Sequence, residues 1–447
     1  MTFDYDVAVI GTGTSAYTLA YSCRHAGKTV VMIDSRPFGG TCAMRGCQPK
    51  KYFVAASEVV ARALKMQRIG IKEIPEIDWQ ALIRSKRAFT DDVPEQTKKG
   101  FQNAGMSTIH GRAHFVGGNR LRAGDQDIAA KHIVIAAGAR PRSLNIPGEN
   151  TLTTSEDFMN LSSLPAEILF VGGGFVSFEF AHVANLAGAK ATILQRGDRV
   201  LKNFDPDLVD KLVESSTESG IRIETQTCVD RVEKRGERLI AYCTDNPDKG
   251  FVADMVVHGA GRVPDLDDLA LETGEVKYSE KGVIVDRYMQ SVSNPSVYAI
   301  GDAAATFFNL ATTADLEGEV AAQNICRGNT MKTDYRVVPS VVFAQPPLAS
   351  VGIGEVEART NGNEISVKTG DMTNWSSSKR IGQMHAGYKV IIDDKNHYIL
   401  GAHILGHNAE EVINVFALAM RFGLTIKDLK QILWAYPTYT SDIKYMI

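Results

Sequence analysis

The chain has 447 residues, which predicts about three domains, and 44 % apolar residues, which is enough for several buried cores. A net charge of −3 leaves no basic stripe, so neither nucleic acid nor an anionic membrane surface is expected as a partner. The apolar runs are far shorter than the roughly 18 residues of a membrane span, and the N-terminus lacks a cationic start and a cleavage site, so a cytoplasmic protein is expected.

The first predicted unit is "YDVAVIGTGTSAYTLAYSCRHAGKTVVMIDS". An apolar strand, Val7 to Ile10, runs into Gly11, Gly13 and Ala16. A helical stretch follows, and a second strand ends at Asp34. This is the glycine fingerprint of a dinucleotide site. Gly11 permits the tight turn, Gly13 lets the backbone approach a pyrophosphate, and Ala16 keeps helix and strand close. The helix N-terminus faces the phosphates, and Asp34 can accept hydrogen bonds from ribose hydroxyls.

Next comes "FGGTCAMRGCQPKKYF", with Cys42 and Cys47 in the predicted start of a helix. Zinc sites usually show a second such pair or close histidines, and the remaining cysteines, 23, 228, 243 and 326, are scattered. No metal site is expected. On an ideal helix, residues five apart rise about 7.5 Å and lie on different faces. A disulfide therefore needs a distorted helix start, which Gly46 makes easier. Arg45, Lys50 and Lys51 surround the thiols with positive charge that favours the thiolate. A redox pair is one reading; two inert buried thiols are the other.

A second copy of the fingerprint is "AEILFVGGGFVSFEFAHVANLAGAKATILQRGDRV". Gly172 and Gly174 follow the strand Ile168 to Val171, and Gln195 stands at the offset from Gly172 that separates Asp34 from Gly11. An acidic residue there favours a free ribose hydroxyl. Gln195 followed by Arg196, Arg199 and Lys202 favours a 2′-phosphate, so the second site is expected to prefer NADPH over NADH. The bland alternative is a patch of solvated surface charge.

Residues 327–336, "RGNTMKTDYR", form a polar connector. Beyond them, "YKVIIDD" and "YILGAHILG" alternate as strands, and Ala409 to Phe422 carries helical periodicity.

Several segments together resemble the flavoprotein disulfide reductases, the class I pyridine nucleotide-disulfide oxidoreductases. They are "GGTCAMRGCQPKK", "HIVIAAGARPRSLNIPG", "GAGRVPD", "VYAIGDAAA" and "VPSVVFAQPPLASVGIGEVEA". The resemblance implies an α/β fold with two Rossmann-like dinucleotide-binding domains, for FAD and NAD(P), plus a C-terminal α+β dimerisation domain. The expected bounds are 1–146 and 265–333 for FAD, 147–264 for NADP, and 334–447 for dimerisation.

The resemblance also implies roles. Gly11, Gly13, Ala16, Asp34, Gly40, Thr41, Ala137, Gly138, Gly301 and Asp302 would bind FAD. Gly172, Gly174, Phe175, Arg196 and Lys202 would bind NADP(H), with Phe175 in the place of a lid over the nicotinamide. Cys47 would face the flavin and Cys42 would exchange with substrate. Lys51 and Glu179 match a pair near the flavin, which would tune its charge. The implied enzyme is a homodimer passing electrons from NADPH through FAD and a Cys42–Cys47 disulfide to a small-molecule or protein disulfide.

One segment departs from that pattern. The family closes with a histidine before proline and a nearby glutamate. Here "LWAYPTYTSDIKYMI" places Tyr436 before Pro437 and Ser441 at the glutamate, with Asp442 beside it. A phenol with a pKa near 10 is a poor base at neutral pH, but Tyr436 can donate a hydrogen bond and is the catalytic candidate in the histidine's place; the alternative is that it packs at the subunit interface. Mercuric reductases have a tyrosine at that place, but also a C-terminal cysteine pair that this sequence lacks. A metal-ion reductase, a quinone reductase and a slow redox sensor therefore stand as alternatives to a disulfide reductase.

Overall fold

Val7, Ala8 and Val9 are all apolar, as are Val31, Met32 and Ile33, and all six are fully buried. Uninterrupted apolar runs of this kind belong to parallel strands covered on both faces. The computed structural model describes residues 2–67, 69–244 and 246–447. It divides the chain into two units: Met1–Tyr52, Arg84–Arg142 and Gly261–Tyr335; and Phe53–Ile83, Ser143–Ala260 and Arg336–Ile447.

In the first unit, β1 (Tyr5–Ile10) leads into α1 (Thr14–His25) and β2 (Val30–Asp34). Strand β1 lies between β2 and the strand Gln126–Ile135, parallel to both, with Val7 opposite Val30 on one side and His132 on the other. Ser107–His110 extends the sheet beyond β2, and Val297–Ala299 pairs parallel with Gln126–Ile135. Helix α1 packs on the helix Ala311–Arg327 through small residues; a Cβ added at Gly318 would lie 2.5 Å from the Ser15 carbonyl oxygen.

The second unit contains a four-stranded parallel sheet in the order Arg222–Glu224, Lys190–Leu194, Glu167–Val171, Met255–His258. The helices Phe175–Leu186 and Pro206–Glu218 belong to this region. The latter has proline in its first turn, and the Asp205 carboxylate accepts from the amides of Asp207 and Leu208. That cap satisfies donors which the helix itself cannot.

A five-stranded antiparallel sheet of the same unit runs Ser340–Val342, Leu348–Gly352, Ile399–Leu405, Gly387–Asp393, Ile365–Asp371. The helix Ala409–Phe422 occupies the range expected from its periodicity and buries Val412, Ile413 and Phe416 in the core of this sheet. Two Rossmann-like folds and an α+β C-terminal region thus make up the α/β protein.

Candidate active site

In the first unit the glycine turn is built as the fingerprint requires. Gly11 has φ +109°, and a Cβ there would lie 2.2 Å from the Ala136 carbonyl oxygen. Gly13 is the N-cap of α1. A Cβ on Gly13 would meet only the Gly40 Cα, at 3.9 Å, so its face is open. Gly40, at φ +69°, begins α2 (Gly40–Arg45), and its own added Cβ would lie 2.3 Å from the Gly13 Cα. The start of α2 therefore sits against the start of α1. Amide dipoles of both aim positive potential at one place, which suits a pyrophosphate.

Other groups of this unit complete a cradle. The Asp34 carboxylate accepts from the Thr12 hydroxyl at 2.5 Å and from the Arg36 amide at 2.9 Å, while Thr12 accepts from the Gly39 amide at 3.0 Å. This network holds the end of β2 against the turn and leaves carboxylate lone pairs for ribose. Ala137 and Gly138 follow the central strand, and Gly138 has φ +72°. Gly301 has φ +63° and donates its amide to the buried Glu317 carboxylate at 2.7 Å, which fixes the turn carrying Asp302. Burial pushes the Asp302 carboxyl up, with Arg262 and a hydrogen bond from Asn309 opposing it. The open glycine face, paired helix starts and two carboxylates fit a dinucleotide cofactor such as FAD.

The cysteines stand at a break between helices. Helix α2 ends at Arg45; Gly46 leaves helical geometry at φ −144°, ψ −119°; and α3 begins at Cys47 (Cys47–Met66). The distortion expected at Gly46 is present, and the Cys42 side chain is hydrogen-bonded to Cys47. The hydroxyl of Thr14, the first residue of α1, also bonds to Cys42, and Asp315 adds negative charge nearby. One expectation is corrected. The cationic surroundings were expected to favour a Cys42 thiolate, yet its thiol is pushed up, first by the bond with Cys47 and then by burial. A buried thiol that donates to a neighbouring sulfur gives up its proton less readily. Thr41 lies on α2 between Gly40 and Cys42, and Lys51 on α3.

The second unit repeats the turn. Gly172 has φ +104°, an added Cβ would lie 2.6 Å from the Gly259 carbonyl oxygen, and Gly174 caps the helix Phe175–Leu186. Phe175, first on that helix, is 50 % exposed; Glu179, one turn on, is buried and accepts from the Phe343 amide at 3.0 Å. Gln195 spends both ends of its amide on the loop, accepting from the Gly173 amide at 2.9 Å and donating to the Arg199 carbonyl at 3.1 Å. Arg196 is exposed and, among the described residues, forms no ion pair. Lys202 approaches Asp198 at 3.5 Å, and both are largely exposed. This end of the site offers cationic charge and no carboxylate equivalent to Asp34.

Tyr436 is 74 % exposed, with the Lys444 ammonium 5.4 Å from its ring centre. Ser441 is buried, and its hydroxyl and amide exchange hydrogen bonds with Thr438 to form the turn. Asp442 bonds to Ser377, and burial pushes its carboxyl up. His407 packs edge-on against Tyr439 at 4.9 Å and is held down to about 4, mainly by burial. His403 is buried beside the Ser350 hydroxyl. Each of these two rings is committed to packing within the unit.

Sequence reasoning missed Thr12, Thr14 and Glu317. The two threonines lie inside the fingerprint itself and could have been found there. Glu317 carries no local signal.

Comparison with known proteins agrees with this geometry. Residues 5–318 match the family described as "Pyridine nucleotide-disulphide oxidoreductase", and residues 338–447 match its dimerisation domain. A glutathione reductase of Burkholderia cepacia is 31 % identical, with 98 % of each chain aligned. A mercuric reductase of Staphylococcus aureus is 30 % identical over 99 % of this chain and 81 % of its own. The fold is shared with the HOCl-induced flavoprotein disulfide reductase RclA from Escherichia coli, at a TM-score of 0.89, 23 % identity and 99 % coverage of each chain. Glycine turns, cysteine pair and family matches together make this chain a member of the class I pyridine nucleotide-disulfide oxidoreductases, enzymes that are FAD-dependent and use NAD(P)H.

Proposed function

We propose that the protein is an NADPH-dependent disulfide reductase working through Cys42 and Cys47. The observation that carries this is the helix break at Gly46, with Cys42 and Cys47 side chains in hydrogen-bond contact across it. FAD, when bound, supplies the two-electron link between a nicotinamide and the cysteine sulfurs. Gly11, Gly13, Ala16, Gly40 and Thr41 would hold its phosphate region, Asp34 its adenosine ribose, and Ala137, Gly138, Gly301 and Asp302 the remaining chain. Gly172 and Gly174 would receive the nicotinamide dinucleotide, Arg196 and Lys202 its 2′-phosphate, and Phe175 would cover the nicotinamide. Lys51 and Glu179 would set the charge beside the flavin.

The chemistry at sulfur then follows. Cys42, whose raised thiol gives up its proton as it attacks, joins one sulfur of an external disulfide; the other leaves and takes up a proton. Cys47 attacks the mixed disulfide, releases the second substrate thiol and regenerates the Cys42–Cys47 bond. The proton held between Cys42 and Cys47 would be available to the departing sulfur. We assign FAD binding to 1–146 and 265–333, NADP binding to 147–264 and dimerisation to 334–447. The matched dimerisation domain supports a homodimer. No helix among the described residues is long and apolar enough to cross a membrane.

The exposed phenol of Tyr436 favours a second reading. A metal ion, which takes up electrons without a proton, depends less on an imidazole acid than a thiol leaving group does, and a quinone can draw its protons from water. Anaerobic reduction of the yellow holoenzyme by NADPH, followed by a panel of disulfides, metal ions and quinones, separates the two. Rapid reoxidation by a disulfide, lost in Cys42→Ser, supports the first reading. Reoxidation by quinones alone, unchanged in Cys42→Ser, removes it.

A further inference from the structure

Cysteines far apart in sequence meet again outside the candidate site. Cys23 lies in the last turn of α1, and Cys326 in the last turn of the helix Ala311–Arg327. The two helices touch closely where Gly318 meets Ser15, and Thr18 donates to Asp315 across them at 2.8 Å. At their C-terminal ends the sulfurs of Cys23 and Cys326 stand 4.0 Å apart. Cys23 is fully buried, whereas Cys326 is partly exposed.

We propose that Cys23 and Cys326 form a second dithiol that small disulfides oxidise, closing a bond between the two helices. A disulfide needs sulfurs about 2.05 Å apart, so closure requires a movement of about 2 Å. A rotation of the partly exposed Cys326 side chain supplies that scale of movement. The burial difference orders the steps. Cys326 attacks one sulfur of the external disulfide, whose other half leaves as a thiol after taking up a proton. Cys23 then attacks the Cys326 sulfur, loses its proton and displaces the second half as a thiol. Two protein thiols are thereby oxidised to one disulfide, and one external disulfide is reduced to two thiols.

The surrounding charge agrees with this order. Cys326 is held down to about 7, first by its hydrogen bond with Cys23 and further by Lys28 and Arg327. The same bond and burial push Cys23 up, as suits a resolving thiol. The bond would tie α1, which carries the glycine turn, to the helix following Asp302. It involves neither Cys42 nor Cys47 and stands whatever the acceptor of the main site.

The test uses holoenzyme carrying Cys42→Ser and Cys47→Ser, incubated with oxidised glutathione and digested without reductant. The expected product is a peptide pair joined through Cys23 and Cys326 and parted by dithiothreitol. The thermal midpoint should rise on oxidation. Adding Cys326→Ser should abolish both the linked peptide and the rise. Adding Cys23→Ser should leave glutathione attached at Cys326. Cys326→Ser substitutes a partly exposed position, so the conclusion does not depend on the buried Cys23→Ser variant folding. Full alkylation of both thiols after the incubation, or linkage of Cys326 to a different cysteine, overturns the proposal.

Discussion

Gly11 and Gly13 lie two positions apart, yet alanine at each should fail in a different way. At Gly11 the backbone sits at φ +109°, which costs a residue with a Cβ on the order of 1–3 kcal/mol. The new Cβ would also lie 2.2 Å from the Ala136 oxygen and 2.8 Å from its carbon. Neither partner can yield cheaply. The Gly11 amide donates to Ile33 at 2.7 Å, and the Ala136 amide donates to Ile10 at 2.8 Å. Loosening those two bonds adds roughly 0.5–1.5 kcal/mol each. The sum, about 2–6 kcal/mol, is a large part of the usual 5–15 kcal/mol of stability. At Gly13 the Cβ meets only the Gly40 Cα at 3.9 Å, so Gly13→Ala should fold with a change below about 1 kcal/mol. It should nevertheless fill the cradle and weaken FAD binding by tenfold or more. Thermal unfolding and the flavin-to-protein absorbance ratio measure the two losses separately. Each kcal/mol is worth roughly 2–4 °C in a domain of this size, so Gly11→Ala should melt at least about 4 °C lower. A Gly13→Ala protein that retains full FAD affinity would refute the cradle. A Gly11→Ala protein as stable as its parent would refute the packing argument.

Three further outcomes are expected. Arg196→Gln should lower kcat/KM for NADPH about tenfold and leave NADH unchanged, the low end of a charge-assisted contact because the guanidinium is exposed; an unchanged cofactor ratio would reject the 2′-phosphate role. Cys47→Ala removes the largest cause that raises Cys42, so alkylation of Cys42 in the reduced protein should begin at lower pH, and an unmoved profile argues against the shared proton. His182 is buried, bonds to the Ser216 hydroxyl at 3.0 Å, and is lowered from its ordinary 6.5 to about 3 by burial. A group whose folded pKa is depressed stabilises the fold above its unfolded pKa and loses that contribution as pH falls. The urea midpoint should therefore decline from pH 6.5 toward 3, and less steeply in His182→Asn. An equal slope in both proteins excludes His182 as a source.

The parts of this molecule that were legible in its sequence are those fixed by neighbours along the chain. A strand, two glycines and a helix start within a few residues dictate one turn, and Gly11 and Gly172 adopt it at nearly the same φ, +109° and +104°. The Ala409–Phe422 helix followed from its apolar spacing, and the interruption at Gly46 from the reach of two sulfurs. What stayed hidden depends on partners far along the chain. The Thr12–Asp34 bond joins residues 22 apart, and Gly301 finds Glu317 only after the chain has turned back. Cys23 and Cys326, at a separation of 303, read as scattered thiols until two helices bring them together. The cations that flank Cys42 along the chain were visible in the sequence, but the hydrogen bond with Cys47 and the burial that raise its thiol were not.

The interruption at Gly46 also bears on mechanical compliance. Making and breaking a sulfur–sulfur bond alters the preferred spacing of its ends by an ångström or more. Were both sulfurs on one continuous helix, each cycle of the proposed exchange would strain the backbone ladder between them. With Gly46 between two separate helices, that change would fall on a single residue, and the hydrogen-bond ladders of both helices would be spared.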